Sequence, residues 1–140
     1  MKSYSQESIN FLIEVIRSED EYSRQWLAAS SDPELLEFWD AYDGDTRKFN
    51  TLMHSEHKEL AASLDALMGN DNAKVWLIKS GNRDMAAFVD ACSGNKTAVA
   101  LLLRLKQKSW LKLAFEIQQH DKKKEKKSFW SFLNFGNPFR

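Results

Sequence analysis

Three segments of the chain share one spacing of residues, and this spacing constrains the fold more than any other feature. Each segment has an acid and an apolar residue, then Asp-Ala six residues later, then Gly, and the segments follow one another at 25-residue intervals. The glycines can take the left-handed conformation that ends a helix, and the next residue can cap the following helix. We therefore predict short helical hairpins stacked side by side, with repeat units at about 34–58, 59–83 and 84–108.

Helical periodicity also dominates the rest of the chain, and five Gly and two Pro leave little room for loops. A capping box of Ser3 and Gln6 predicts a first helix over 4–29, and Asp32 before Pro33 predicts the start of a second helix. Apolar residues at helical spacing then predict an unbroken helix over 46–68, short helices near 71–79 and 83–93, and a long helix from about 96. The prediction is an all-α protein, a compact array of about six helices.

The predicted domain organisation is a helical domain over 1–121 followed by a basic-aromatic C-terminal segment over 122–140. A chain of 140 residues is long enough to bury a core without metals or disulfides. Cys92 is the only cysteine, the N-terminus lacks a signal-type apolar core, and Ala98–Leu103 is too short an apolar run to span a membrane. We expect a soluble, cytoplasmic protein whose membrane contact, if any, is peripheral.

The C-terminal segment is predicted to contact something outside its own helix. Its lysines and apolar residues are Lys122, Lys123, Lys124, Lys126 and Lys127, then Phe129, Trp130, Phe132 and Leu133. In a helix the four apolar residues share one face. This face could dock on the protein's own body, lie in an anionic membrane interface, or bind a partner, which could also recognise Asn137-Pro138-Phe139.

The charges divide sharply between the two halves of the chain. Residues 1–70 carry fourteen acids and six bases, a net charge of −8, whereas residues 71–140 carry six acids and fourteen bases, a net charge of +8. Spacing by four predicts a basic stripe of Arg104, Lys108 and Lys112 that could contact phosphates of a nucleic acid. On the acidic side, the predicted contact with a protein partner involves Trp39, Asp40, Asp43 and Asp45.

Catalytic and metal-binding patterns are weak throughout the sequence. His54 and His57 lie three residues apart, but zinc needs three or four ligands, and a solvated helical face explains the pair better. We predict no cofactor. The leading hypothesis is a non-enzymatic adaptor whose helical body binds a protein partner while its C-terminus contacts a membrane surface or second partner. The alternatives are a nucleic-acid-associated protein and a small helical metal protein or enzyme.

Overall fold

The protein is all-helical over the residues that the computed structural model describes, which are 4–135, with side chains described for 4–124. Nine helices occupy this range. They are α1 (Gln6–Ser18), α2 (Glu21–Ala28), α3 (Glu34–Tyr42), α4 (Thr46–Met53), α5 (Lys58–Leu67), α6 (Asp71–Lys79), α7 (Arg83–Cys92), α8 (Lys96–Arg104) and α9 (Lys108–Phe135). The all-α prediction is confirmed, but the predicted number of about six helices is too low.

Three predicted helices are each broken once. The first divides where Glu19 takes a positive φ of 53° and the side chain of Asp20 caps α2. The helix predicted over 46–68 divides at residues 54–57, and the one predicted from 96 divides where Lys106 takes a φ of 61°. Because these breaks contain no glycine, composition alone did not indicate them. The first helix is capped by Ser5 and not by the predicted Ser3, because the side chain of Ser5 accepts a hydrogen bond from the amide of Ser8.

Helices α3 and α4, α5 and α6, and α7 and α8 form antiparallel pairs joined by similar turns. Gly44, Gly69 and Gly94 have positive φ. The residue after each glycine donates its backbone amide to the carbonyl of an aspartate five residues earlier, namely Asp40, Asp65 and Asp90, at 2.9, 3.1 and 3.2 Å respectively. This bond closes the helix end, and the left-handed glycine makes it geometrically feasible. The helices start at 25-residue intervals too: α2, α4, α6 and α8 at 21, 46, 71 and 96, and α5, α7 and α9 at 58, 83 and 108.

The odd-numbered helices form an inner ring and the even-numbered helices an outer layer. Around the ring α1 contacts α3, α3 contacts α5, α5 contacts α7, α7 contacts α9, and α9 contacts α1. Each outer helix packs against the two inner helices that precede and follow it in the chain. Inner-helix residues at 25-residue intervals are buried together, namely Leu35, Leu60, Met85 and Trp110, and the outer helices bury Leu27, Leu52, Leu77 and Leu102.

Candidate binding surfaces

Helix α9 belongs to the body at one end and extends beyond it at the other. Trp110, Leu113, Ala114 and Ile117 are buried, and the rings of Trp110 and Phe88 meet edge to face at 5.0 Å. From Asp121 onward the helix continues without a break to Phe135, although like charges were predicted to end it within the lysine block. The helix is thus 28 residues long and crosses the predicted boundary between 121 and 122.

The lysines of α9 that can be assessed face solvent. Lys122, Lys123 and Lys124 are exposed. The remaining predicted contacts of this segment lie in α9, but their side chains are outside the described residues: Lys126, Lys127, Phe129, Trp130, Phe132 and Leu133. The motif at 137–139 lies outside the described residues as well. Docking of the aromatic residues on the body therefore stays a prediction.

The predicted basic stripe does not lie on one helix. Arg104 is in the last turn of α8, whereas Lys108 and Lys112 lie in the first turns of α9, beyond the break at Lys106. All three side chains are exposed. Lys108 instead begins an inner helix, as do Lys58 and Arg83, which are also exposed. Glu59 and Asp84 lie in the first turns of α5 and α7, so acids partly balance the bases there.

The acidic segment predicted to bind a partner is mostly occupied within the protein. Trp39 is buried, with its ring 4.8 Å from that of His120. Arg24 donates to both carboxylate oxygens of Asp40, at 2.9 and 2.8 Å, and Asp45 caps α4. Asp43 alone of the four is exposed, with its carboxylate 3.6 Å from Nε2 of His120. The structure thus places Trp39 in the core against His120, and binding of a partner by this segment stays a prediction.

A polar cluster beside Trp39 ties the end of α3 to α9. The hydroxyl of Tyr42 donates to Asp121 at 2.6 Å, and burial followed by this hydrogen bond raises the pKa of Tyr42. Cys92 is also buried nearby, and burial raises the pKa of its thiol. A protonated thiol is a poor nucleophile, so burial makes Cys92 less reactive than an exposed cysteine. The hydrogen bond between Tyr42 and Asp121 joins the end of α3 to α9.

The two histidines proposed as weak metal ligands do not share a helical face. His54 ends α4 and bonds the carbonyl of Asn50 through Nδ1 at 2.8 Å, while His57 precedes α5 with Nδ1 3.7 Å from Glu34. The helical spacing on which the pairing depended is absent, since residues 54–57 form the junction between α4 and α5. Among the described residues, no group of three or more His, Cys, Asp or Glu side chains is arranged to hold a metal ion.

The N-terminus takes part in a contact that the sequence did not indicate. Tyr4 donates its hydroxyl to Glu59 at 2.6 Å and packs edge to face on Trp110 at 5.6 Å. Burial, followed by the hydrogen bond to Glu59, raises the pKa of Tyr4. Asp32, predicted to cap α3, instead accepts the amide of Ser5 at 2.9 Å. These contacts fasten the start of the chain to α5 and α9.

Apolar side chains are exposed on the outer helices and on α9. The α6 residues Val75, Trp76 and Ile78 are 44%, 43% and 47% exposed, and Phe115 of α9 is 57% exposed. Phe115 lines a groove of about 850 Å³ that lies over α9, between α8 and α1. Its other lining residues are Asn10, Ile13, Glu14, Arg17, Ala91, Gly94, Val99, Leu111, Lys112, Glu116 and Gln118. The burial pattern of α9 does not by itself indicate this groove, which depends on three other helices.

Comparisons with known proteins add no relative from which a function could be inferred. None of the helices over residues 4–135 combines the length and the apolar character needed to cross a membrane. No protein-family model, curated protein or solved structure matches the chain. Its function must therefore be inferred from the surfaces described above.

Proposed function

We propose that this protein is a non-enzymatic interaction module in which the helical body binds a protein partner and the lysines of α9 contact an anionic membrane surface. The observation that carries the proposal is the continuity of α9. The same helix is buried in the core at Trp110 and Ile117 and exposes Lys122, Lys123 and Lys124. A surface bound by these lysines would hold the body at a fixed orientation, because no flexible linker separates the two parts.

The electrostatics favour such a contact at a modest affinity. Lysines beside an anionic leaflet contribute about 1 kcal/mol each, and the effect decays within a Debye length. Five lysines within residues 122–127 give a weak, reversible and salt-sensitive attachment. The body side of the proposal is supported by the exposed apolar residues of α6 and by the groove over α9, because binding sites are commonly concave and partly apolar.

Co-sedimentation with vesicles tests the membrane contact. Phosphatidylcholine vesicles with phosphatidylserine should retain the protein, and vesicles without it should not. Replacing Lys122, Lys123 and Lys124 by Glu should lower the partition coefficient on the order of a hundredfold, because each lysine contributes about 1 kcal/mol.

A matched control carries Glu at Lys58, Lys79 and Lys96, three exposed lysines of the body that change the net charge equally. It should bind as well as the unaltered protein. An equal loss in both triple variants would show that only the overall charge matters and would refute a contact through α9.

We also propose that the hairpins are copies of one 25-residue unit. In this proposal the repeat extends backward to the pair of α1 and α2, and forward to α9. The support is that Glu19 takes the left-handed conformation at the position equivalent to Gly44, Gly69 and Gly94, and Lys106 does so at the position equivalent to Gly81. The outer helices bury their leucines at 25-residue intervals as well. Conformations that are unusual for Glu and Lys, at the same place in the unit, favour a common plan over coincidence.

A second candidate function is nucleic-acid association, favoured by the exposed bases at the start of α5, α7 and α9. Phosphate contacts by such bases make affinity fall steeply with salt. Electrophoretic mobility with single- and double-stranded probes should then show a shift at low salt that weakens when Arg104 and Lys108 become Ala. No shift at low salt would remove this candidate.

A further inference from the structure

The outer layer of the array is incomplete over α9. The outer helices α2, α4, α6 and α8 cover successive pairs of inner helices, but over residues 4–135 no outer helix covers the pair formed by α9 and α1. These two helices are nevertheless in direct contact, and Arg17 of α1 bonds Glu116 of α9 at 2.6 Å. The groove of about 850 Å³ lies at this uncovered position.

The chain cannot fill this position with the continuation of α9. A straight α-helix rises about 1.5 Å per residue and cannot fold back over its own first turns, and α9 is helical from Lys108 to Phe135. The turn that would be needed falls at Gln119, where the earlier hairpins have Gly44, Gly69 and Gly94, and Gln119 stays helical. Helix α9 itself is therefore not the occupant of this position.

We propose that the groove over α9 binds an amphipathic helix of a partner protein, seated as a fifth outer helix. This inference rests on the proposed function and specifies the partner of the helical body. The floor of the groove is apolar at Ile13, Val99, Leu111 and Phe115, and its rim carries the exposed Lys112 with the ion pair of Arg17 and Glu116. Of these, Phe115 offers the largest exposed surface, at 57%.

The outer helices already present define the chemistry of this partner helix. They are eight or nine residues long and each buries a leucine in its last turn. In α2, α6 and α8 a small residue four positions earlier is also buried, namely Ser23, Ala73 and Ala98. Small residues allow close approach between helices while the leucine fills the space between two inner helices. The partner is thus a helix with a small residue and, four positions later, a leucine on its apolar face.

A constrained copy of α8 is a suitable probe for this site. The probe is a fluorescein-labelled peptide of residues 94–105, which contains Ala98 and Leu102, with a hydrocarbon staple joining the exposed positions 100 and 104. The staple is required because so short a helix is marginal in water. Fluorescence anisotropy with the full chain should give saturable binding with Kd on the order of 10–500 μM, as expected for one short helix.

Three variants locate this binding. Phe115→Glu in the protein should weaken it at least about tenfold by placing a charge in the groove, and Leu102→Glu in the peptide should do the same. Tyr22→Glu is the matched control, because Tyr22 is also an exposed aromatic residue, at 67%, but lies on α2 and does not line the groove. It should leave the Kd unchanged.

Three results would overturn the proposal. The first is a lack of saturable binding up to about 1 mM peptide, which is above the expected range of Kd. The second is equal weakening by Phe115→Glu and Tyr22→Glu. The third is a concentration-dependent dimer, seen by light scattering and lost in Phe115→Glu, because the occupant would then be a second copy. Vesicle binding does not involve Phe115, so the membrane contact can fail or succeed separately from this site.

Discussion

The first half of α9 packs in the core, whereas the lysines that begin its second half face solvent. Residues 108–121 alternate buried and exposed positions at helical spacing and supply Trp110, Leu113 and Ile117 to the core. Residues 122–124 are all exposed lysines, and the helix continues to Phe135. The first half is fixed by tertiary packing, whereas the second half begins with exposed lysines that we propose bind a membrane surface. Changes in the first half should therefore affect stability, and changes in the second half should affect binding.

The largest effect is expected at Trp110, in the first half. Trp110→Ala removes a side chain that is 2% exposed and contacts Tyr4 and Phe88. The resulting cavity should lower the free energy of unfolding by about 3–5 kcal/mol. Urea denaturation followed by circular dichroism measures this change, and a loss below about 1 kcal/mol would mean that α9 is not part of the core.

A smaller effect is expected at the boundary of the two halves. Tyr42→Phe removes the hydrogen bond to Asp121 but keeps the ring, and should lower the free energy of unfolding by about 1 kcal/mol. Tyr22→Phe is a suitable control, because Tyr22 is 67% exposed. Equal stabilities of the two variants in urea would argue against an anchoring role for the contact between Tyr42 and Asp121.

At the start of α9, one substitution should stabilise the protein. Lys106 has a φ of 61°, a conformation that costs a residue with a Cβ about 1 kcal/mol, and Gly81 occupies the corresponding place before α7. Because glycine also loses more freedom on folding, Lys106→Gly should raise the free energy of unfolding by only about 0.5 kcal/mol. Thermal unfolding measures the change, with Lys112→Gly inside α9 as a control that should destabilise.

The smallest effect on stability is expected in the second half. Glu at Lys122, Lys123 and Lys124 should change the free energy of unfolding by no more than about 0.5 kcal/mol, as for other surface substitutions. The same triple variant is expected to lose vesicle binding, so a thermal unfolding scan beside the sedimentation experiment separates the two properties. A large drop in the melting temperature would show that the second half also packs on the body.

The helix ends that glycine specifies could be predicted from the sequence, and those that depend on tertiary structure could not. Gly44 and Gly69 marked real turns, because a left-handed residue is favourable mainly for glycine. Glu19 and Lys106 adopt the same conformation at a cost, and only the packing of the surrounding helices holds them there. The helices predicted from sequence periodicity therefore continued through both positions.

The candidate site was predictable only where it is local in the chain. The exposed Lys122, Lys123 and Lys124 follow from the composition of one short segment. The burial of Trp39 and the groove at Phe115 depend on how α9 packs against α1 and α3, two helices that are distant from α9 in sequence. The hydrogen bond between Tyr42 and Asp121 joins residues 79 positions apart, and no spacing rule indicates such a pair.

Contact between the first and last inner helices fixes the number of hairpins in the molecule. An open stack of hairpins can gain or lose units at its ends, and it unfolds from those ends because each unit contacts only its neighbours. Here α1 and α9 cover each other, and Tyr4 reaches both Glu59 and Trp110. Inserting or deleting a single hairpin would break the contact between α1 and α9, so we expect the protein to tolerate neither change. For the same reason, the array should unfold as one cooperative unit.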